Sequence, residues 1–387
     1  MPTTSSSAKK TGSAQKQAAK TKDTTAGSAK EKTKNTAKIR GVRKIRNNDL
    51  VPFTQKLAAM LTAGLPLVEC LSALTEQTEN PEFRKVVTGL KERVEGGESF
   101  AEALRNYRNL FSELYINMVA AGEIGGSLAE VTGRLASYLE ASADLKRRVK
   151  SALTYPVVIM ILAGLLTLGM MIFIVPRFAG IYEDFSAELP APTQVLVKIS
   201  DILRNYSPFV AIGFVIVVIV IKRILKTEKG SFYFDRLLLK APVAGPLVEK
   251  IALARMARTF ASLMKSGVPI LKALDIVGKA TGNQYLGQAI SRCSDDIEGG
   301  ATIASALQGT KKFPPMVIHM VGAGEKTGDI DGMLEKVADF YEDEVTNSLD
   351  ALSSSIEPLL MAFLGVVIGG IVLCMFLPIF QMHKLVN

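Results

Sequence analysis

The chain carries one passage twice. Gly64-Leu65-Pro66 recurs as Gly267-Val268-Pro269, and Gly96-Gly97 as Gly299-Gly300, both at an offset of 203 residues. After a one-residue deletion the register continues at 202: Gly122-Glu123 recurs as Gly324-Glu325, Pro156 as Pro358 and Pro176 as Pro378. A repeat this long restricts the fold to a duplicated unit, because both copies must solve the same packing problem. Each copy has a polar, helix-patterned part followed by an apolar stretch.

The apolar stretches are long enough to cross a bilayer. Residues 157–175 are nineteen consecutive uncharged positions and residues 358–380 are twenty-three; a helix needs about 20 to cross roughly 30 Å of hydrocarbon. A third run, 209–221, is shorter. With residues 206–208 before it and β-branched residues all round, it reads as a span rather than a buried core helix. Basic flanks set the orientation. Lys146, Arg147, Arg148 and Lys150 precede the first span, and Lys222, Arg223 and Lys226 follow the second. The segment between them carries Glu183, Asp184, Glu188 and Asp201 against Arg177, Lys198 and Arg204. The third span has acidic Glu342, Asp343 and Glu344 on its inner side and Lys384 beyond it, so its direction rests on parity with the first copy. Two units that each end in an outward crossing need one return crossing between them, and the middle run supplies it.

Charge is unevenly spread. Residues 1–46 hold thirteen Lys/Arg and two Asp/Glu, and the remainder holds 33 against 35. The basic character therefore belongs to this tail. The tail is rich in Ser, Thr, Ala and Lys and is expected to be disordered. Attraction to anionic headgroups is a second reading of it. It has no aromatic residue for base stacking, so nucleic acid is not an expected partner. It also lacks the apolar core of a secretory signal. Cys70, Cys293 and Cys374 form no C-x-x-C and are read as small apolar residues. With His319 and His383 the only histidines, a His-based triad or zinc site has little to draw on. No cofactor is expected.

The polar part of each copy reads as about six helices, the last running into the membrane. Phe83, Val86, Val87, Leu90 and Val94 have helical spacing, as do Leu67, Leu71 and Leu74. Gly64 and Gly267 are expected to be left-handed helix stops, with Pro66 and Pro269 opening the next helix. Asn80-Pro81 reads as a cap with proline in the first turn. Ser99 with Glu102 and Ser127 with Glu130 read as capping boxes, and Thr302 and Asp329 take the equivalent positions. The expected organisation is a disordered basic tail at 1–46, a helical bundle at 47–153, a span at 154–176, an outer loop at 177–205, a span at 206–222, a second bundle at 223–355, a span at 356–380 and an outer end at 381–387.

At these residues the chain resembles the type II secretion system F family, the inner-membrane platform proteins of type IV pilus assembly. Phe53-Thr54-Gln55-Lys56-Leu57 with Ala63-Gly64-Leu65-Pro66-Leu67 is similar to the family's opening motif. Gly122-Glu123-Ile124-Gly125-Gly126-Ser127-Leu128 is similar to its signature turn. Tyr155-Pro156, Val175-Pro176-Arg177-Phe178, Pro242-Val243-Ala244-Gly245, Ala257-Arg258-Thr259-Phe260, Ile356-Glu357-Pro358 and Leu377-Pro378-Ile379-Phe380 also match. The departures are Gln55-Lys56 for the usual Arg-Gln, Ile330 for leucine after Gly324-Glu325-Lys326-Thr327-Gly328-Asp329, and a basic tail where many members carry an ordered segment. The resemblance implies an all-α, multi-pass protein of the bacterial inner membrane, with a cytoplasmic N-terminus and periplasmic outer segments. It implies coupling of a cytoplasmic hexameric ATPase to addition or removal of pilin or pseudopilin subunits, without catalysis of its own. Alignment-complex proteins and a second copy of the chain, as a dimer, are further implied partners, with membrane lipid around the spans.

Several residues are open to two readings. Glu123 and Glu325 sit at equivalent turns, as helix-end carboxylates accepting N–H bonds at the next helix start, or as contacts to the ATPase or ligands of a divalent cation. Gly122, Gly126, Gly324 and Gly328 shape those turns. Pro156 and Pro358 punctuate the beginnings of spans and Pro176 and Pro378 their ends, or act as kinks. Arg255 and Arg258 lie one turn apart with Lys265 beyond, as a solvated helix face or a basic surface for acidic partners or lipid. A transporter or channel is the rival class. Against it, the three apolar runs contain no Asp, Glu, Lys or Arg. The phosphate-cradling G-x-x-x-x-G-K-[ST] loop of an ATPase does not occur.

Overall fold

The computed structural model describes residues 47–184, 190–225, 227–242 and 244–385; the expected disordered tail at 1–46 lies outside them. The described residues are helical, with no strand among them. The first copy is α1 (Asn47–Thr62), α2 (Leu67–Gln77), α3 (Pro81–Glu95), α4 (Phe100–Arg105), α5 (Glu113–Ile124) and α6 (Leu128–Gly169). A π-helical turn, Met170–Ile174, leads into α7 (Val175–Asp184). Then come α8 (Ala191–Ile224) and α9 (Glu228–Leu239). The second copy is α10 (Ala244–Lys265), α11 (Ile270–Ala280), α12 (Gln284–Glu298), α13 (Ile303–Thr310), α14 (Pro315–Thr327) and α15 (Ile330–Leu385).

The helices break where left-handed glycines allow it. Gly64, Gly97 and Gly126 in the first copy, and Gly267, Gly300 and Gly328 in the second, all have positive φ. Around Gly64 the Leu65 N–H donates to Met60 O at 3.1 Å, and around Gly267 the Val268 N–H donates to Leu263 O at 3.1 Å. These bonds absorb the orphan carbonyls of the preceding helix in a Schellman pattern. Asn80 accepts from the Glu82 and Phe83 N–H groups, with Pro81 in the first turn. Three details depart from expectation. Pro66 and Pro269 sit at the N-cap, one residue earlier than the first turn, and each carbonyl accepts the first intrahelical bond. Ser127 makes no side-chain cap; Glu130 pairs with Arg134 one turn along instead. None of the four repeated prolines ends a helix. Pro156 lies inside α6, Pro176 is the second residue of α7, and α15 continues through positions 358 and 378. Apolar surroundings penalise every unpaired backbone group, so a local detour costs less than a helix end.

The two copies bury equivalent positions. Phe83, Phe100, Phe111 and Tyr115 are buried in the first, and Leu286, Ile303, Phe313 and Val317 in the second. Burying such side chains contributes about 1.5–3 kcal/mol each. The first core is aromatic: Phe53 meets Phe83 edge-on at 5.3 Å and Phe111 meets Tyr115 at 4.9 Å. The Tyr115 hydroxyl lies 3.2 Å from Thr54 Oγ1, so its polar end is paired. The copies are not two separate bundles. One continuous apolar core runs from Leu50 to Leu349. Tyr138 and Thr259 share a hydrogen bond at 3.2 Å, and Arg148 donates to Thr346 at 3.3 Å across the join.

Two helical paths, Leu128–Ile181 and Ile330–Leu377, are long and apolar enough to cross a membrane. Each begins in the shared core and continues into the apolar stretch without a hinge loop. In α15 the buried Leu334, Val337, Tyr341, Val345 and Leu349 lie on the same helix as residues 358–380. Bundle and apolar part are thus joined through helix rather than through a loop. The first half of α8 packs on both paths: Leu196, Val197 and Leu203 lie against Met171, Val175, Ile371 and Met375.

Gly122 and Gly324 are glycines for space. A Cβ on Gly324 would stand 2.8 Å from Ile330 Cα and 3.0 Å from Asp329 O; on Gly122 it would meet Val131 Cβ at 3.0 Å and Leu128 Cα at 3.3 Å. The Gly324→Ala protein is expected to lose about 2–3 kcal/mol, since backbone cannot yield as side chains do; Gly122→Ala is expected to lose less. Urea midpoints of the purified proteins in detergent check this order, and a wild-type midpoint for Gly324→Ala would refute the close approach.

Candidate functional site

The two equivalent acidic turns perform the same local task. Glu123, at the end of α5, accepts the Phe100 N–H on Oε1 and the Ala101 N–H on Oε2, the latter at 2.8 Å. Glu325 in α14 accepts the Ile303 N–H on Oε1 and the Ala304 N–H on Oε2, the latter at 3.0 Å. Ser99 Oγ takes the third N–H of α4 from Glu102 at 3.2 Å, and Thr302 Oγ1 takes that of α13 from Ser305 at 3.1 Å. The first three orphan N–H groups of each short helix are therefore filled, and a negative charge sits at the positive end of the helix. The helix served, α4 or α13, is the one upstream of the helix that carries the acid, whereas the expected recipient was the helix after the turn. At that next start Asp329 caps α15 through the Gly332 N–H at 3.1 Å.

Both carboxylates thus have their oxygens engaged inside the fold. The residue beside Glu123 is exposed: Ile124, between the turn's acid and its glycines, is 90% accessible. Among the described residues no group of three or more His, Cys, Asp or Glu stands together. Cys70 and Cys293 are buried and unpaired. Burial, then the Asp296 charge, pushes the Cys293 thiol up to about 11, which keeps it protonated and unreactive.

Arg258 is not on a solvated face. Its Nε donates to Glu342 at 2.8 Å, and its other nitrogen donates to Asp339. Burial alone would lower the guanidinium pKa; the bonds to Glu342 and Asp339 outweigh this and raise it. Lys250 reaches Glu344 at 2.7 Å and Lys265 reaches Glu335 at 3.2 Å. This ladder fastens α10 along α15, so Glu342 and Glu344 serve inside the second copy. Arg255 is half-buried, its guanidinium against the backbone of Gly282. At the join of the copies, Lys279 bridges Glu113 at 3.1 Å and Asp275 at 2.8 Å. A cleft of about 300 Å³ beside it is lined by Arg105, Arg108, Glu113 and Lys272.

Sequence reasoning missed a pair of hydroxyls. Proline at 176 has no N–H to return to the Met171 carbonyl, and proline at 378 has none for Cys374. The Ser200 hydroxyl donates to Met171 O, and the Thr193 hydroxyl donates to Cys374 O at 2.6 Å. Both hydroxyl residues are buried, seven residues apart on one face of α8. The signal available beforehand was two repeated prolines at the ends of uncharged runs, each of which must orphan a carbonyl.

Residues 53–176 and 256–378 each match the type II secretion system (T2SS), protein F family. The chain belongs to that family. A type IV pilus assembly protein PilC from Myxococcus xanthus is 43% identical over 344 residues, covering 89% of this chain and 82% of the relative. A protein of the same name from Pseudomonas aeruginosa is 38% identical over 346 residues, covering 89% and 92%. A type II secretion system protein F from Vibrio cholerae is 30% identical over 345 residues, covering 89% and 85%. Both acidic turns and the four prolines fall within the segments matched to the T2SS protein F family. Helices α8 and α9 lie between them.

Proposed function

We propose that this chain is the inner-membrane platform of a type IV pilus assembly machine, coupling a cytoplasmic hexameric ATPase to the addition or removal of pilin subunits. The observation that carries this reading is the likeness to two type IV pilus assembly proteins along nearly the whole chain. The physical support is the shared bundle core continuing into two apolar helices without interruption, a shape suited to passing cytoplasmic movement to the bilayer. The function is mechanical, not enzymatic.

In this reading residues 47–153 and 223–355 are cytoplasmic, 154–176, 206–222 and 356–380 cross the membrane, the first half of α8 lies against the outer ends of the other two crossings, and 177–190 with the C-terminal residues face the periplasm. The exposed Ile212, Val215, Ile216, Ile219 and Val220 of α8 support the middle crossing. The ATPase meets the cytoplasmic bundles, with Ile124 and Lys326 the outward residues of the two acidic turns and Glu123 and Glu325 holding those turns in shape. Pilin and alignment-complex proteins meet the spans, and the protein works as a homo-oligomer.

The likeness to the Vibrio cholerae protein supports a second reading, the platform of a type II secretion system driving a pseudopilus. A clean deletion in the source organism separates the two. Loss of surface pili with secretion intact is the expected result. Pili retained with exoproteins trapped inside would replace the first reading with the second.

A further inference from the structure

The short helix α9 has one face fastened to the second copy and one face bare. On the fastened side, the Phe232 ring lies 5.5 Å from Tyr285, and Asp235 accepts the Gln284 N–H at 2.7 Å. On the bare side, Tyr233, Phe234 and Leu237 are 67%, 43% and 69% exposed. These three share one helix face, since positions 233 and 237 are one turn apart and 234 lies beside them. An exposed aromatic and aliphatic patch on a charged helix calls for an apolar neighbour.

The position of α9 says which neighbour. Thr227 bonds back to the end of α8, with its N–H donating to Ile224 O at 3.0 Å and its hydroxyl to the same oxygen at 2.7 Å. Its Oγ1 also accepts the Gly230 N–H at 3.2 Å, capping α9. Gly230 lies so close to the Ile224 carbonyl that any side chain there would collide with it. Thus α9 starts directly at the end of α8, beside Lys222 and Arg223.

Its flank is basic. Arg236 lies over the Tyr285 ring at 5.9 Å and Lys312 over the same ring at 3.7 Å. Arg292 is near enough to be felt. Burial, then the charges of Arg292 and Arg236, holds the Lys312 ammonium below its ordinary pKa. Positive charge gathered beside an apolar face is the composition of helices that lie in a membrane interface.

We propose that α9 is an interfacial anchor: Tyr233, Phe234 and Leu237 enter the cytoplasmic leaflet where α8 leaves it, and Arg236, Arg292 and Lys312 meet anionic headgroups. This rests on the reading that residues 209–221 cross the membrane. The anchor holds the second copy against the bilayer, so the bundle pivots on the leaflet and does not hang from its spans alone. Aromatic residues at the headgroup level are the side chains such a seat uses.

The chain has no tryptophan, so a single Leu237→Trp substitution reports on this face alone. The full protein is reconstituted in vesicles of phosphatidylethanolamine and phosphatidylglycerol, with lipids brominated near the top of the acyl chain. A companion Ile216→Trp protein reports on the middle crossing with deep bromines. The expected result is roughly a twofold drop in Leu237→Trp emission with shallow bromines, little with deep ones, and protection from aqueous iodide. Iodide access without bromine quenching would overturn the anchor. Iodide protection without bromine quenching would overturn it too, and would put a protein, such as a second copy, on the face. If Leu237→Trp fails in either way while Ile216→Trp is quenched, the anchor is wrong and the crossing stands. If neither is quenched, the crossing reading falls and the anchor with it.

Discussion

Glu123→Ala and Glu325→Ala are each expected to lower the stability of the helical bundle by about 2–4 kcal/mol, taking two charge-assisted hydrogen bonds with a partial return of water. The effect is large because α4 has six residues and α13 eight. Helices so short do not hold themselves together. Released N–H groups at their starts let Phe100 and Ile303, both buried, come away from the core. Glu→Gln at either site is expected to be nearly as harmful, since an amide offers one acceptor oxygen and aims its donor at the second N–H. The two sites lie in different copies and their losses should add. Urea midpoints of the detergent-solubilised chain measure this, with pilus counts beside them. Normal stability with lost pili would mean that the carboxylates act on a partner and not as caps.

The second large effect is expected from α8. Thr193→Val with Ser200→Ala removes the donors that reach the carbonyls orphaned by the prolines at 176 and 378. An unpaired carbonyl in apolar surroundings costs about 1–3 kcal/mol, and hydrogen bonds between helices in membranes run nearer the low end of that range. A combined loss of about 1–3 kcal/mol is expected, read as a lower SDS midpoint in micelles. Pro378→Ala restores an N–H to α15 and should silence much of the Thr193→Val loss. The cycle gives a coupling of roughly 0.5–1.5 kcal/mol. Additive losses would show that the hydroxyl does not stand in for the proline's missing donor. The arrangement explains how α8 is positioned. It is clasped to both apolar helices at their prolines, so the duplicated apolar helices are held through one shared neighbour.

Much of the local structure was legible from the chain. Left-handed stops at Gly64 and Gly267, the Asn80 and Thr302 caps, and the helical stripe of Phe83, Val86, Val87 and Leu90 depend on residues within one or two turns. Ser127 looked like an equally good cap and is not one, because a Schellman turn already occupies that place: the Ser127 N–H donates to Gly122 O at 2.9 Å. Arg258 looked like part of a solvated face because its partners lie 81 and 84 residues away on α15. Its true setting depends on how α10 and α15 pack.

By itself the sequence determined the duplication, the helical class and the two apolar stretches, because these are properties of pattern and composition read over tens of residues. It also marked Glu123 and Glu325 as equivalent. Tertiary structure alone decided what those acids do, since their partners sit 21 to 23 residues upstream, across a turn of undetermined angle. It decided as well that the two copies share one core, that α8 completes the backbone bonds of its neighbours, and that α9 leaves an apolar face bare. Each of these follows from where one helix stops against another, and a periodic pattern carries no record of the distance between helices.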